Sequence, residues 1–262
     1  MRLKFAGLII GAVSLATAQG AFAADMPVKA SVYKAAVADP WTGFYVGGSV
    51  GARWADVDWQ TVAATGAGAG TVPVGPNNPA SLDSTSFRVG GYVGYNWKIA
   101  PAWLVGLEAD IAWGRNNSSV SPFPGTPGGG FFGGGPSDSD TVKLGWDGSV
   151  RGRLGYLVNP TWLVYGTGGA AWQQIKTISN CADGSGFCGG AFSGTSSTVK
   201  AGWTVGGGVE IALANHWLAR LEYRYADFGH VSNDLPPAAT TGIHSDIRVK
   251  TSTALAGVAY KF

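Results

Sequence analysis

The chain has 262 residues, with 18 Lys+Arg against 16 Asp+Glu, 42 Gly and 11 Trp. Charged residues are 13%, against roughly 25% in ordinary soluble proteins, and no basic excess points to nucleic acid. Low charge with abundant glycine and aromatics argues against an ordinary soluble domain. Beyond the first 23 residues no apolar run could span a membrane as a helix, so a helical membrane protein is excluded as well.

At the start, Arg2 and Lys4 precede the apolar stretch Phe5 to Ala18, and Ala21-Phe22-Ala23 forms an A-x-A site. This pattern predicts a cleaved secretory signal peptide over residues 1–23. Cleavage removes Arg2 and Lys4 and leaves cations and anions balanced. Residues 24–40 carry no clear period and end in Asp39-Pro40, which predicts a mobile N-terminal extension. Residues 41–262 then form one all-β domain.

The first strand begins near Trp41 and runs to Trp54, with Phe44, Val46, Val50 and Trp54 on one face and Tyr45, Ser49 and Arg53 on the other. A Gly/Pro-rich loop extends to about Ser84. Strand two, Thr85–Trp97, sets Phe87, Val89, Val93 and Trp97 against Arg88, Tyr92 and Asn96. Strand three, Trp103–Gly114, opposes six apolar residues to Glu108 and Asp110, an alternation of period two and not a helical stripe. Residues 116–140 read as loop, including a Gly-rich tract around Phe131 and Phe132. That tract is a low-complexity loop or a contact tip.

Strand four, Thr141–Leu157, sets Leu144, Trp146, Val150 and Leu154 against Asp147, Arg151 and Arg153. Strand five, Thr161–Gln174, places Trp162 and Val164 outward and Tyr165 and Thr167 inward. A loop over 175–197 holds Cys181 and Cys188. In an exported chain this pair predicts a disulfide, with thiol metal binding as the alternative. Strand six, Thr198–Leu213, turns Glu210 inward, and strand seven, Trp217–Phe228, turns Arg220, Glu222 and Arg224 inward. Residues 229–245 read as loop.

The last strand ends at Phe262, with Phe262, Tyr260, Val258, Ala256 and Ala254 on one face. A long apolar terminal strand would be a hazardous edge in an open sheet. In a closed barrel it pairs with the first strand. Eight alternating segments therefore predict a transmembrane up-and-down antiparallel β-barrel, whose strands need only about 9–11 residues to cross.

Short turns alternate with long loops, and Trp103, Trp162 and Trp217 each follow a short turn. These would lie at the periplasmic interface, with Trp54, Phe87, Trp113, Trp203 and Tyr225 in an outer girdle. The inward charges Glu108, Asp110, Asp147, Arg151, Arg153, Glu210, Arg220, Glu222 and Arg224 cannot face lipid cheaply and are expected to pair as a lumen network. In that expectation Arg151 lies near both Glu108 and Asp147, and removing Arg151 or Glu222 opens the lumen. Neither catalytic nor cofactor residues are indicated. His216, His230 and His244 lack metal-ligand spacing, and Ser245 beside His244 and Asp246 is adjacency without nucleophile geometry.

The segments Ala21-Phe22-Ala23-Ala24-Asp25, Trp41-Thr42-Gly43-Phe44-Tyr45-Val46-Gly47-Gly48, Val164-Tyr165-Gly166-Thr167-Gly168-Gly169 and Val258-Ala259-Tyr260-Lys261-Phe262 carry a resemblance. Over residues 24–262 the chain is similar to small outer-membrane β-barrels of Gram-negative bacteria, the "porin family" proteins, some described as haemin-binding. The resemblance implies an eight-stranded barrel in the outer membrane. It also implies a C-terminal aromatic signal, Tyr260 and Phe262, read by the barrel-assembly machinery. Outer-membrane lipids and lipopolysaccharide are the expected surroundings. A loop ligand such as haemin or a host surface is a candidate partner. The functional expectation is a structural and interaction barrel that supports the envelope, with a small solute channel as the alternative.

Overall fold

The computed structural model describes residues 39–66, 79–121, 138–181, 191–238 and 241–262. Among these are nine strands: β1 (Gly43–Gly66), β2 (Pro79–Ala100), β3 (Trp103–Gly114), β4 (Asn116–Val120), β5 (Ser139–Asn159), β6 (Trp162–Cys181), β7 (Phe192–Ala212), β8 (Trp217–Ala238) and β9 (Thr241–Lys261). Pairing is antiparallel around the ring, and β9 returns to β1 from Tyr45↔Lys261 to Gly66↔Thr241. β3 and β4 lie in line on the same partner, β5, interrupted only at Arg115. The ring therefore has eight staves, the number the alternation predicts. A backbone bond from Phe262 N–H to the Phe44 carbonyl, 2.9 Å, completes the seam.

Three tight turns share one end with Trp41 and Phe262. Asn159 Oδ1 accepts the Thr161 and Trp162 N–H groups at 2.9 Å each, the side-chain bonding that favours Asn in turns. Asn215 and His216 have φ of 58° and 68°, as a two-residue hairpin turn with two left-handed positions requires. Tryptophans ring the outside at both heights. At the turn end Trp103 packs edge-on against Tyr156 and Trp217 against Tyr260, with centroids 5.2 and 5.4 Å apart. Trp54, Trp113 and Trp203 remain exposed toward the loop end.

The strands run well past the outer girdle, into stretches where the alternation predicts loops. The expected loops to Ser84 and over 175–197 and 229–245 are strand through much of their length, and the one over 116–140 is strand at Asn116–Val120 and from Ser139. The physical reason is a change of surroundings. Below the girdle the outside meets lipid and is apolar. Above it the outside meets water, so Asp56, Asp58, Arg248 and Lys250 turn outward while Val57, Trp59, Ile247 and Val249 turn inward. Period two persists, but the apolar face switches sides.

This switch fills the interior in three tiers. The loop-end tier is apolar, built from residues such as Val57, Trp59, Leu144, Ile175, Phe228 and Ile247. The turn-end tier holds Trp41, Tyr45, Tyr92, Leu104, Leu163 and Tyr165. The charged tier lies between them. Trp41 is not part of the first strand, which starts at Gly43. Its indole is buried and donates to the Pro160 carbonyl at 2.9 Å, and Lys261 Nζ donates to the Asp39 carbonyl at 2.8 Å. Glycine makes room for the inward rings. A Cβ on Gly47 would collide with the Tyr92 ring, and one on Gly94 with the Tyr45 ring.

Candidate functional site

The middle tier is assembled by register. Glu108 on β3 is the direct cross-strand partner of Arg151 on β5, and both point inward, so their side chains meet as an ion pair. Arg220 of β8 reaches the same carboxylate from across the lumen, and the Tyr45 hydroxyl donates to it at 2.9 Å. Glu222 accepts from Arg151 at 2.7 Å, Arg224 at 2.8 Å and the Tyr165 hydroxyl at 2.8 Å. Arg224 continues to Asp110 at 3.0 Å. Arg88 bridges Asp110 at 2.8 Å and Asp147 at 2.6 Å, and Arg53 adds a contact to Asp147 at 2.9 Å. Toward the turn end Arg153 pairs with Glu210 at 2.9 Å and stacks 3.9 Å from the Tyr165 ring centre. Arg220 lies 3.5 Å over Tyr92.

All nine residues named from alternation thus lie in the lumen, within ion-pair reach of one another or of Arg53 and Arg88. The placement of Asp147 differs from expectation. It sits toward the loop end with Arg53 and Arg88, away from Arg151, because four residues along a strand span about 13 Å. The sequence reading omitted Arg53, Arg88, Tyr45, Tyr92 and Tyr165 from the network. The signal was present, since Arg53 shares the inward parity of Tyr45 and Arg88 that of Tyr92. Arginine keeps its proton and offers a planar fork, so the tier acts as a set of charged cross-links and not as a proton relay. A void of about 20 Å³ between Asp147, Thr204, Arg224 and Thr253 has room for about one water.

Beyond the girdle, Asp140 is buried and accepts a hydrogen bond from the Ser179 hydroxyl. Burial pushes its carboxyl up to about 7, and the Ser179 bond opposes the rise. A carboxyl raised in the folded state stabilises the fold below its unfolded value, near 3.8, and that contribution is lost as pH climbs through about 7. The outer end of β5 and β6 should therefore exchange its amides faster at pH 8 than at pH 5 once intrinsic rates are corrected. Asp140→Asn should abolish that difference. Hydrogen exchange on refolded protein checks this, and equal pH dependence in the variant would contradict it.

His230 pairs with Asp246 at 2.7 Å on the outer surface. Among the described residues no three His, Cys, Asp or Glu side chains are arranged to hold a metal. Cys188 lies outside the described residues, and with it the expected Cys181–Cys188 bond. Residues 1–23, 24–38 and the Phe131-Phe132 tract lie outside them as well.

Comparison with known proteins matches residues 9–262 to the outer membrane protein beta-barrel domain. The chain is 32% identical to the 31 kDa outer-membrane immunogenic protein of Brucella melitensis biotype 1, over 97% of this chain and 99% of that protein. It is 30% identical to the 22 kDa outer membrane protein of Rhizobium leguminosarum bv. viciae over the whole of both. Among solved structures, the outer membrane protein OprG from Pseudomonas aeruginosa shares the fold, with a TM-score of 0.53 and 16% identity, over 85% of this chain and 97% of that one.

Proposed function

This chain belongs to the outer membrane protein beta-barrel family and sits in the outer membrane, and from that premise we propose that it works as a sealed barrel whose loop end is the active surface. The carrying observation is the filled lumen. Two apolar tiers bracket a charged one, and each is made of side chains that are almost fully buried. An interior closed at three heights supports a structural and interaction role over transport. Eight staves enclose only enough space for side chains to fill, whereas open porins use about sixteen strands. No catalytic role is proposed, because the buried ionisable groups of the lumen are engaged with one another. The exposed Phe262 ring at the seam suits a signal for the assembly machinery, and outer-membrane lipids are the surroundings. Haemin or a host surface remains a candidate for the loops.

The tiered interior also revises an expectation. Opening the charged tier alone, as with Arg151→Ala or Glu222→Ala, leaves the apolar tiers closed above and below it. Swelling of proteoliposomes in a monosaccharide solution tests the sealed reading. No swelling is expected for the wild-type protein or for either single variant. Swelling by wild type at the rate of a known porin favours the channel reading instead.

A further inference from the structure

The outer wall carries its charge unevenly. Among the described residues, every Asp and Glu on β3 to β7 faces the interior. The same wall presents three cations just above the outer girdle: Arg115 between β3 and β4, Lys143 on β5 and Lys176 on β6. Lys143 and Lys176 are direct cross-strand partners, and Arg115 immediately precedes Asn116, whose partner Leu144 adjoins Lys143. Like charges placed directly opposite each other on a sheet repel. No ion pair joins any of the three to a carboxylate among the described residues. The sequence offers little to neutralise them either. Residues 122–137 contain no charged side chain, and residues 182–190 contain only Asp183.

The other wall shows that this arrangement is not general. There the outward cations are matched: Lys250 to Asp58 at 3.4 Å and Arg248 to Asp227 at 2.7 Å. Height identifies what matches the first wall. Arg115 is two residues beyond Trp113, and Lys176 is four beyond Trp172, about 7 and 13 Å along strands that tilt by about 40°. Indole side chains mark the edge of the hydrocarbon, and the polar headgroup zone of one leaflet is about 5–8 Å deep. The cations therefore stand in and just above the layer where lipid phosphates lie.

We propose that Arg115, Lys143 and Lys176 form a binding site for the phosphate groups of a phosphorylated glycolipid headgroup in the outward-facing leaflet. The like-charged pair is stable because a dianionic phosphate sits against it. Arg115 supplies a planar fork and the two lysines supply mobile point charges. The inference rests on the membrane location and not on whether the lumen is sealed.

The test uses the refolded full-length mature chain in neutral detergent, titrated with diphosphoryl lipid A or with its dephosphorylated counterpart and read by native mass spectrometry. The wild type should bind the diphosphoryl form at least tenfold more tightly. The triple variant Arg115→Ala/Lys143→Ala/Lys176→Ala should lose that preference, while Arg248→Ala/Lys250→Ala on the paired wall should keep it. If the triple variant does not refold, Lys143→Ala alone carries the test, with about a threefold loss expected. Inorganic phosphate at millimolar concentration should not displace the lipid. The proposal is overturned if wild type does not distinguish the two lipids, if the variant keeps the preference, if the control loses it equally, or if free phosphate competes.

Discussion

Glu108→Ala should lower the stability of the refolded barrel by about 3–5 kcal/mol, the usual cost of removing one partner from a buried ion pair. The carboxylate is held by Arg151 and Arg220, and the Tyr45 hydroxyl also donates to it. Its removal leaves two guanidinium groups short of a partner in a site that water scarcely reaches. Glu108→Gln should cost less, since the amide oxygen still accepts a hydrogen bond. The pairing itself is measured by a double-mutant cycle with Arg220→Ala, where a coupling of about 1–3 kcal/mol is expected. The urea midpoint of the gel-mobility shift between folded and unfolded forms gives the readout. A loss below about 1 kcal/mol for Glu108→Ala would mean that the network contributes little to holding the barrel together.

Trp59→Ala should be about as costly, roughly 3–5 kcal/mol, by a different mechanism. Trp59 is fully buried in the apolar tier above the girdle, packed in a cluster that includes Val57, Leu144 and Ile247. Truncation leaves a cavity that strands on opposite sides of the ring cannot close without bending the wall. The urea midpoint should fall, yet ion flow should stay low because the charged tier and the Trp41 tier remain. Combining Trp59→Ala with Glu222→Ala and Trp41→Ala opens all three tiers, and conductance should then appear. A stability loss without any conductance in the triple variant would show that side-chain tiers are not what closes the barrel.

The membrane-crossing part of the barrel was legible because lipid outside and charge inside give a strong contrast of period two. Glu108, Arg151 and Arg220 stand on one face of strands whose other face is Val, Leu and Trp. What escaped the sequence reading lies where that contrast changes sign. Ala55-Asp56-Val57-Asp58-Trp59 alternates as regularly as the segment before it, but the apolar residues have moved to the inner face. A search tuned to apolar-out strands reads such a stretch as loop. Trp41 escaped for another reason. Its burial depends on a bond to Pro160, 119 residues away, which no local pattern encodes. Arg53 and Arg88 were readable from parity, and the identity of their partner, Asp147, required the register across β3 and β5.

The central claim is that the lumen is closed, and single-channel recording of the refolded wild-type protein in a planar bilayer tests it most directly. Brief, small or absent current steps in molar KCl are the expected result. Large, steady openings of porin size in the wild-type protein would contradict the sealed barrel.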